Sequence, residues 1–580
     1  MLALLAALVG PYFVDWTGYR GDFEREASRI LGREVTVEGD VRARLLPFPS
    51  VSFTDVQVAG ETETSPAMTV EEFSMDAELA PFMRGEILIF DMRVVRPKAT
   101  IKIAADGQVD WAVRPSSRFE PSQIRLEKVR VVEGKVTLLH EASGRQHTLT
   151  EINADLAADS LAGPWRVDGS LRLDGMLTDV AVSTGTANPD GTMRVRVRAN
   201  PERYPVTLEA DGAAQFKPDS PLYSGSFHLE ANNRDPAVLR GSDGDTFVAS
   251  AQTGQAAIAD YRFAGRFQLD HKRLDVPEFR LETGPREDPY TADGTALFDL
   301  GASPRFLIQA TGAQVRFDEA IGKGNEYSGA TLEDRFEGLK AALENLPRPA
   351  IKGTLDIDLP AVVAGDTTIR NVRLSAEPSA GGWAVNTLSA LLPGRTTLEA
   401  SGYLRNGEED FGFKGKLLLA VAQPSGFAAW AARDVDDAIR RLPAAGFSAD
   451  VELDEQRQLF RNVELILGEA RFHGLLERLT REGVRPAIIA RLNGDALDVQ
   501  GMTAFASLFV SDAGVTYFGD HDVDFDLEAG PVSLAGLSAD KVSTAMRLRE
   551  DHLEIDRLAI TGLAGANIGA TGTIRDIDAE

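Results

Sequence analysis

The 580-residue chain has no cysteine, which excludes a disulfide scaffold, thiolate metal sites and cysteine nucleophiles. Basic side chains are scarce, with 61 Lys and Arg against 88 Asp and Glu, for a formal net charge of −27. So acidic a chain cannot displace counterions from a phosphate backbone, so nucleic acid is excluded as its main partner. Tyr and Trp number only 9 and 5 against 28 Phe. Carbohydrate sites favour rings with a polar handle, whereas Phe needs no hydrogen-bond partner and suits a dry surface. What is present is ordinary, 43% hydrophobic and 26% charged, the composition of a globular chain long enough for several cores.

Chemistry-bearing motifs are also lacking. The histidines at 140, 147, 228, 271, 473, 521 and 552 are scattered, with no HExxH and no i, i+4 pair, so zinc is not expected. His521, Asp522, Asp524 and Asp526 suggest a metal cluster, yet Val523, Phe525 and Leu527 alternate with the aspartates. That alternation reads as the wet face of a strand. Asp356 and Asp358, between Leu355, Ile357 and Leu359, repeat it. Gly241 to Asp245 lacks the spacing and closing Glu of a calcium loop. Gly322 and Gly324 make no dinucleotide fingerprint, and there is no GxSxG elbow or P-loop. The expectation is a protein that is not an enzyme, with no catalytic residue, metal or cofactor.

Met1 to Val14 contains no charged side chain, and Asp15, Trp16 and Tyr19 follow. Fourteen residues are too few to span a bilayer, which takes roughly 20, and the positive start of a signal peptide is missing. We read residues 1–19 as the remainder of a cut transmembrane helix, with Leu2, Leu4, Leu5, Leu8, Val9, Phe13 and Trp16 as its anchoring residues. A short buried helix or signal remnant is the alternative. Phe23, Ala27, Ile30 and Leu31 then show helical spacing, closed by Gly32.

From Val35 the apolar period is two, as in Leu88, Phe90, Met92 and Val94, or Tyr261, Phe263, Phe267 and Leu269. Met193, Val195, Val197 and Ala199 alternate with Arg194, Arg196 and Arg198, giving one dry and one wet face, which favours antiparallel pairing. Three stretches return to helical spacing: Leu332 to Leu346, Phe427 to Leu442, and Val499 to Phe509. Such helices are expected to seal sheet ends or edges.

Internal repetition is the strongest signal. Trp383, Val385, Leu388, Leu398, Ala400, Gly402 and Leu404 recur 170 residues later as Leu553, Ile555, Leu558, Ile568, Ala570, Gly572 and Ile574. Looser copies run from Leu274 to Gly294 and from Phe460 to Gly474. The unit is a hairpin, and the phase change between Val385 and Leu388, or Ile555 and Leu558, predicts a bulge. The expected fold is mainly β: an elongated, curved, mostly antiparallel, groove-like sheet of repeated hairpins with an N-terminal helix and a few short helices. The chain stops directly after a repeat's last strand, so it is read as cut short at its end too.

Gly32, Val35, Val37, Gly39, Val41, Leu46, Pro47, Pro49, Val51, Phe53, Asp55, Val56 and Val58 resemble the N-terminal signature of the AsmA family. The likeness continues through Leu79, Phe82, Gly85, Ile87, Pro97, Gly107, Asp110 and Trp111, with Ala59-Gly60 departing where the family often has asparagine. The resulting division is an anchor at 1–19, an AsmA-like N-terminal region at 20–111, a β-repeat region at 112–350 ending in a helical segment, and a C-terminal AsmA-like β-repeat region at 351–580. The resemblance implies a Gram-negative inner-membrane protein, single-pass, with a periplasmic body, serving outer-membrane biogenesis. It further implies phospholipid acyl chains held and conducted along an apolar β-groove between membranes, for which Leu88, Phe90, Met92, Val94, Phe263 and Phe267 are the candidate lining. The implied partners are the inner membrane, phospholipids and other envelope proteins. The alternative is an assembly factor that affects outer-membrane protein targeting through protein contacts. An envelope hydrolase with dispersed catalytic residues is a third reading.

Overall fold

A computed structural model describes residues 16–60, 66–82, 84–110, 121–203, 206–215, 222–231, 261–283, 289–316, 349–364, 367–407, 411–431, 437–481, 483–500, 521–534, 537–550 and 552–575, with 340, 343, 344, 346 and 502. Of these described residues 71% lie in strands. The anchor positions Leu2, Leu4, Leu5, Leu8, Val9 and Phe13 lie outside them, as do most of the helical stretches at 332–346 and 499–509. The chain divides into two compact units, one of residues 1–281 and 295–305, the other of 282–294 and 306–580.

The first unit opens with a 3-10 turn, Trp16–Tyr19, and helix α1, Arg20–Leu31. Gly32 takes the left-handed conformation (φ 70°) and its N–H bonds Ser28 O at 2.9 Å, the C-cap that the sequence predicts. Phe23, Ala27 and Leu31 of α1 pack on Val35, Val37, Val41, Phe53, Val56, Val58 and Val70. Most of the family-like signature therefore forms one small core. The strands are β1 (Val35–Val37), β2 (Val41–Arg44), β3 (Ser50–Val58), β4 (Met68–Ala77), β5 (Ile87–Val95), β6 (Lys98–Ile103), β7 (Val109–Asp110), β8 (Ile124–His140), β9 (Arg145–Ala158), β10 (Trp165–Leu173), β11 (Met176–Thr184), β12 (Thr192–Pro201), β13 (Val206–Gln215), β14 (Leu222–Ala231) and β15 (Tyr261–Leu269). A short helix, α2 (Leu79–Phe82), joins β4 to β5. From β8 onward each strand pairs antiparallel with the next. The departure is that β8 lies parallel to both β5 and β6.

β16 (Arg273–Thr283), β17 (Tyr290–Asp299) and β18 (Arg305–Arg316) follow. The second unit contains β19 (Lys352–Ala364), β20 (Thr367–Ser379), β21 (Gly382–Leu392), β22 (Thr396–Asn406), β23 (Phe411–Val421), β24 (Ala445–Asp454), β25 (Arg457–Leu467), β26 (Ala470–Arg481) and β27 (Val484–Gly494). These form one antiparallel series. β28 (Leu497–Asp498), β30 (Val532–Leu534) and β31 (Leu537–Ala539) make a small separate sheet. β29 (Asp522–Ala529) joins β27 in parallel, then β32 (Lys541–Leu548), β33 (His552–Leu563) and β34 (Ala566–Arg575) resume the antiparallel order. The stretch around Phe427 becomes two short helices, α3 (Pro424–Ala431) and α4 (Asp437–Arg441). Phe427, Ala428, Ala431 and Ile439 cover Val421, Ala445 and Leu467 at the ends of β23, β24 and β25.

The repeat is repeated pairing. Trp383, Val385 and Leu388 face Leu404, Gly402 and Ala400, while Leu553, Ile555 and Leu558 face Ile574, Gly572 and Ala570. Register shifts fall between Val385 and Leu388, Ile555 and Leu558, and Phe460 and Val463. Gly402 and Gly572 share an extended positive φ of 151° and 154°, which side chains rarely adopt. A second device pairs Phe with Gly: Phe472, 1% exposed, faces Gly494, whose added Cβ would sit 2.4 Å from the ring. Phe472→Ala is expected to lower the stability of this unit by about 3–5 kcal/mol. Gly494→Ala is expected to cost about 1–3 kcal/mol through overpacking. Urea unfolding checks both, and an unchanged midpoint for Gly494→Ala would show that the ring does not depend on the bare backbone.

Candidate functional site

Cross-strand register turns strand alternation into rows. In the first unit successive partners run Ala43, Val51, Met75, Met92, Val129, Leu156, Val167, Val182, Val197, Ala210, Phe227 and Gly265. Every member is apolar or glycine, and the row crosses β2 to β5 and β8 to β15. At about 4.8 Å per strand it is on the order of 50 Å long. Two residues along, a parallel row runs Phe53, Phe73, Val94, Val131, Ala154, Gly169, Val180, Ala199, Leu208, Leu229 and Phe263. Between them, on the other face, lie Ser52, Ser74, Arg93, Arg130, Asp155, Asp168, Ala181, Arg198, Glu209 and His228. One face is dry and the other carries nearly all the charge.

The dry face is not equally covered. Near α1 its residues are buried, as are Ile89, Leu126, Val129 and Ala158 beside them. Across β10 to β14, Val167, Val182, Val197, Ala210 and Phe227 are only half-buried, and Leu208 is 36% exposed. Apolar area so open is unusual unless something binds it. Further along, Phe227 packs on Phe263 at 5.1 Å between ring centroids, and Tyr223 on Phe267 at 4.9 Å.

The second unit repeats this. Leu355, Ala376, Val385, Gly402, Gly415, Val451, Phe460, Leu476, Ala490, Phe525, Met546, Ile555 and Gly572 are successive partners from β19 to β34.

Of the candidate lining, Met92, Val94 and Phe263 lie on these rows, and Phe267 shares their face but is 7% exposed, covered by its neighbours. Leu88 and Phe90 need correction. Asp76 pairs with Asp91 and Ala77 with Ile89, so Phe90 is an extra residue in β5. The bulge puts Ile89, Met92 and Val94 on the dry face and leaves Leu88 and Phe90 opposite, where Phe90 meets Phe48 at 5.1 Å. Beyond this reading lies a cavity of about 320 Å³ at the start of the first row, lined by Trp16, Ala43, Leu45, Pro49, Val51, Met75 and Ala77, with Arg44 and Ser50.

The wet face is stitched by ion pairs. Arg194 and Arg196 both donate to Asp211, each with a contact of 2.7 Å, and Arg198 pairs with Glu209. Asp522, Asp524 and Asp526 each meet an arginine, Arg485, Arg549 and Arg557 at 3.2, 2.8 and 2.9 Å. They are strand-face carboxylates, and among the described residues no group of acids and histidines is placed to hold a metal. At the first unit's start, Arg33, the residue after Gly32, forms an ion pair with Asp110. The contact brings the beginning of the family-like stretch against its far end.

Residues 1–217 match the AsmA family. No curated protein and no solved structure matches the chain. The AsmA match spans α1 and β1 to β13, so it covers the core beneath α1 and most of the first apolar row. It is consistent with an envelope-related role. Among the described residues no helix is long and apolar enough to cross a membrane, and of the expected anchor residues only Trp16 is described, packed on the core beneath α1.

Hydrogen bonds from Arg194 and then Arg196 hold the Asp211 carboxyl well below the ordinary carboxylate value. A depressed acid stabilises the fold fully above the unfolded value, near 4, and loses that contribution as pH falls through the folded value. Asp211→Asn is therefore expected to lower stability at pH 7 by at most about 1 kcal/mol, since both arginines are exposed. The gap between variant and parent should close as the pH is taken well below 4. Thermal melts against pH check it, and a gap that persists in acid would sink the assignment.

Proposed function

We propose that this chain is an inner-membrane-anchored envelope protein with a periplasmic body that holds phospholipid acyl chains on the dry faces of its sheets and conducts them along the apolar rows. The observation that carries the reading is the unbroken first row, from Ala43 to Gly265, left half-buried across β10 to β14. An acyl chain laid there removes its own surface and the protein's from water, at about 0.8 kcal/mol per buried CH2. Head groups stay in solvent, where no hydrogen bond has to be broken. No catalytic step is part of this reading, because conduction needs only continuity of the surface.

The competing reading, an assembly factor that affects outer-membrane protein targeting through protein contacts, draws on the same open dry face, since an exposed apolar surface can also bind a protein.

Photoreactive side chains at Met92, Val197 and Phe227, with Phe90 and Arg198 as opposite-face controls, separate the two in cells. Phospholipid adducts from the three row positions and not from the controls are expected. Equal capture from both faces, or one dominant protein adduct and no lipid, would overturn lipid conduction. Native mass spectrometry of the detergent-free protein should show several phospholipids per chain.

A further inference from the structure

We infer that the tip of the β8–β9 hairpin and the β15–β16 turn, both in the first unit, form a latch that closes the dry face, and that this latch must part for a phospholipid head group to pass. The closure stands on its own geometry, whereas its role as a gate rests on the proposed function. His140 Nε2 lies 2.7 Å from His271 O. A carbonyl oxygen only accepts, so the ring nitrogen donates, and Ser143 Oγ holds the ring from Nδ1 at 2.6 Å. His140 ends the series Val136, Leu138, His140, in register with Ala99, Ile101 and Ile103 of β6, so it belongs to the apolar side of its strand.

The contact joins places that a flat sheet would keep apart. From β8 to β15 each strand pairs antiparallel with the next, so the turns fall alternately on two edges. The β8–β9 turn is on one edge and the β15–β16 turn on the other, about 34 Å away across the strands at 4.8 Å per step. A twist of roughly 20–25° per step turns the last strand by about half a revolution over that distance, which carries one edge round to the other. The sheet is wound until its edges meet, and His140 and His271 mark the meeting.

The closure is built to separate. Both ring nitrogens of His271 are enclosed and find no hydrogen-bond partner among the described residues, a cost that is relieved when water reaches them. Exposed Glu141 and Arg145 on one side, with Lys272 and Arg273 on the other, let water follow as the edges part. A lipid whose acyl chains lie on the rows keeps its head group in solvent, so the head group has to project through the seam that the latch shuts.

Because the chain has no cysteine, Arg145→Cys and Lys272→Cys can be introduced together in the full chain, spin-labelled, and the distance between the labels read by pulsed electron resonance. The labels should lie close together. His140→Phe keeps a ring but removes the donor, and should raise the separated fraction about fivefold, the worth of one net hydrogen bond. His271→Phe keeps the accepting carbonyl and removes the enclosed nitrogens, so it should leave the labels together. Labels that His140→Phe does not separate, or that His271→Phe separates equally, overturn the latch. Joining the same pair with a short bismaleimide should slow photocapture of phosphatidylcholine at Val197 about tenfold, as a blocked gating step would. Capture of palmitic acid, which has only a carboxylate to pass, should be unchanged. Equal rates in bridged and unbridged protein, or equal slowing of both lipids, overturn the gate. Labels held together in a protein that captures neither lipid leave the closure intact and remove conduction instead.

Discussion

Cross-strand register is the constraint on which the rest depends. A strand's side chains alternate with a period of two, so a slip of one residue against its neighbour moves the whole apolar set to the other face. In this chain the register holds from Ala43 to Gly265 and again from Leu355 to Gly572. It holds because strands that must bend gain a residue at a bulge instead of slipping. Val385 and Leu388 differ by an odd number yet share a face, and so do Phe460 and Val463, where Asn462 takes a positive φ of 49°. Asparagine tolerates that conformation better than most residues, and its side chain bonds Asp450 on the wet face at 2.7 Å. The extra residue is absorbed where water can solvate it, and the dry row continues undisturbed.

Coverage then distinguishes one part of a row from another. Where α1 covers Val35, Val37, Val41, Phe53, Val56 and Val58, and where α3 and α4 cover Val421, Ala445 and Leu467, the dry face is a closed core, whereas Ala43, Val51 and Met75 at the start of the first row line the cavity. Across β10 to β14 the same kind of residue is left half-buried. The difference comes from what packs over the sheet, since the side chains are Val, Ala and Leu in both places. Helices sealing the sheet's covered parts therefore leave the open strands as the region available for binding.

Much of this could be read from the residues. Helix α1 and its Gly32 cap follow from spacing and one glycine. The 170-residue repeat foretells both the pairing of β21 with β22 and the bulge within it, because the phase change is written in the alternation itself. The bulge in β5 is concealed for the opposite reason. Its extra residue is Phe90, which is apolar, so Leu88, Phe90, Met92 and Val94 keep an apparent period of two while the strand changes face. Parallel pairing of β8 with β5 and β6 is invisible too, since a crossover leaves no local mark. The ion pair of Arg33 with Asp110 joins residues 77 apart, and only the folded core brings them together.

The division of labour between the faces has a mechanical consequence. Arg194, Arg196 and Arg198 with Asp211 and Glu209 tie β12 to β13 entirely from the wet side, so no polar side chain is needed on the dry side to hold those strands in register. A row built from aliphatic side chains, phenylalanine and glycine offers an apolar ligand nearly the same contact at each step, because dispersion and desolvation depend on area rather than direction. Without hydrogen-bond partners along the way there is little to arrest an acyl chain at one strand in preference to the next. Such a surface favours movement but cannot give it a direction. Direction has to arise at the ends of a row, where Trp16 and the cavity beside Ala43 already break its uniformity.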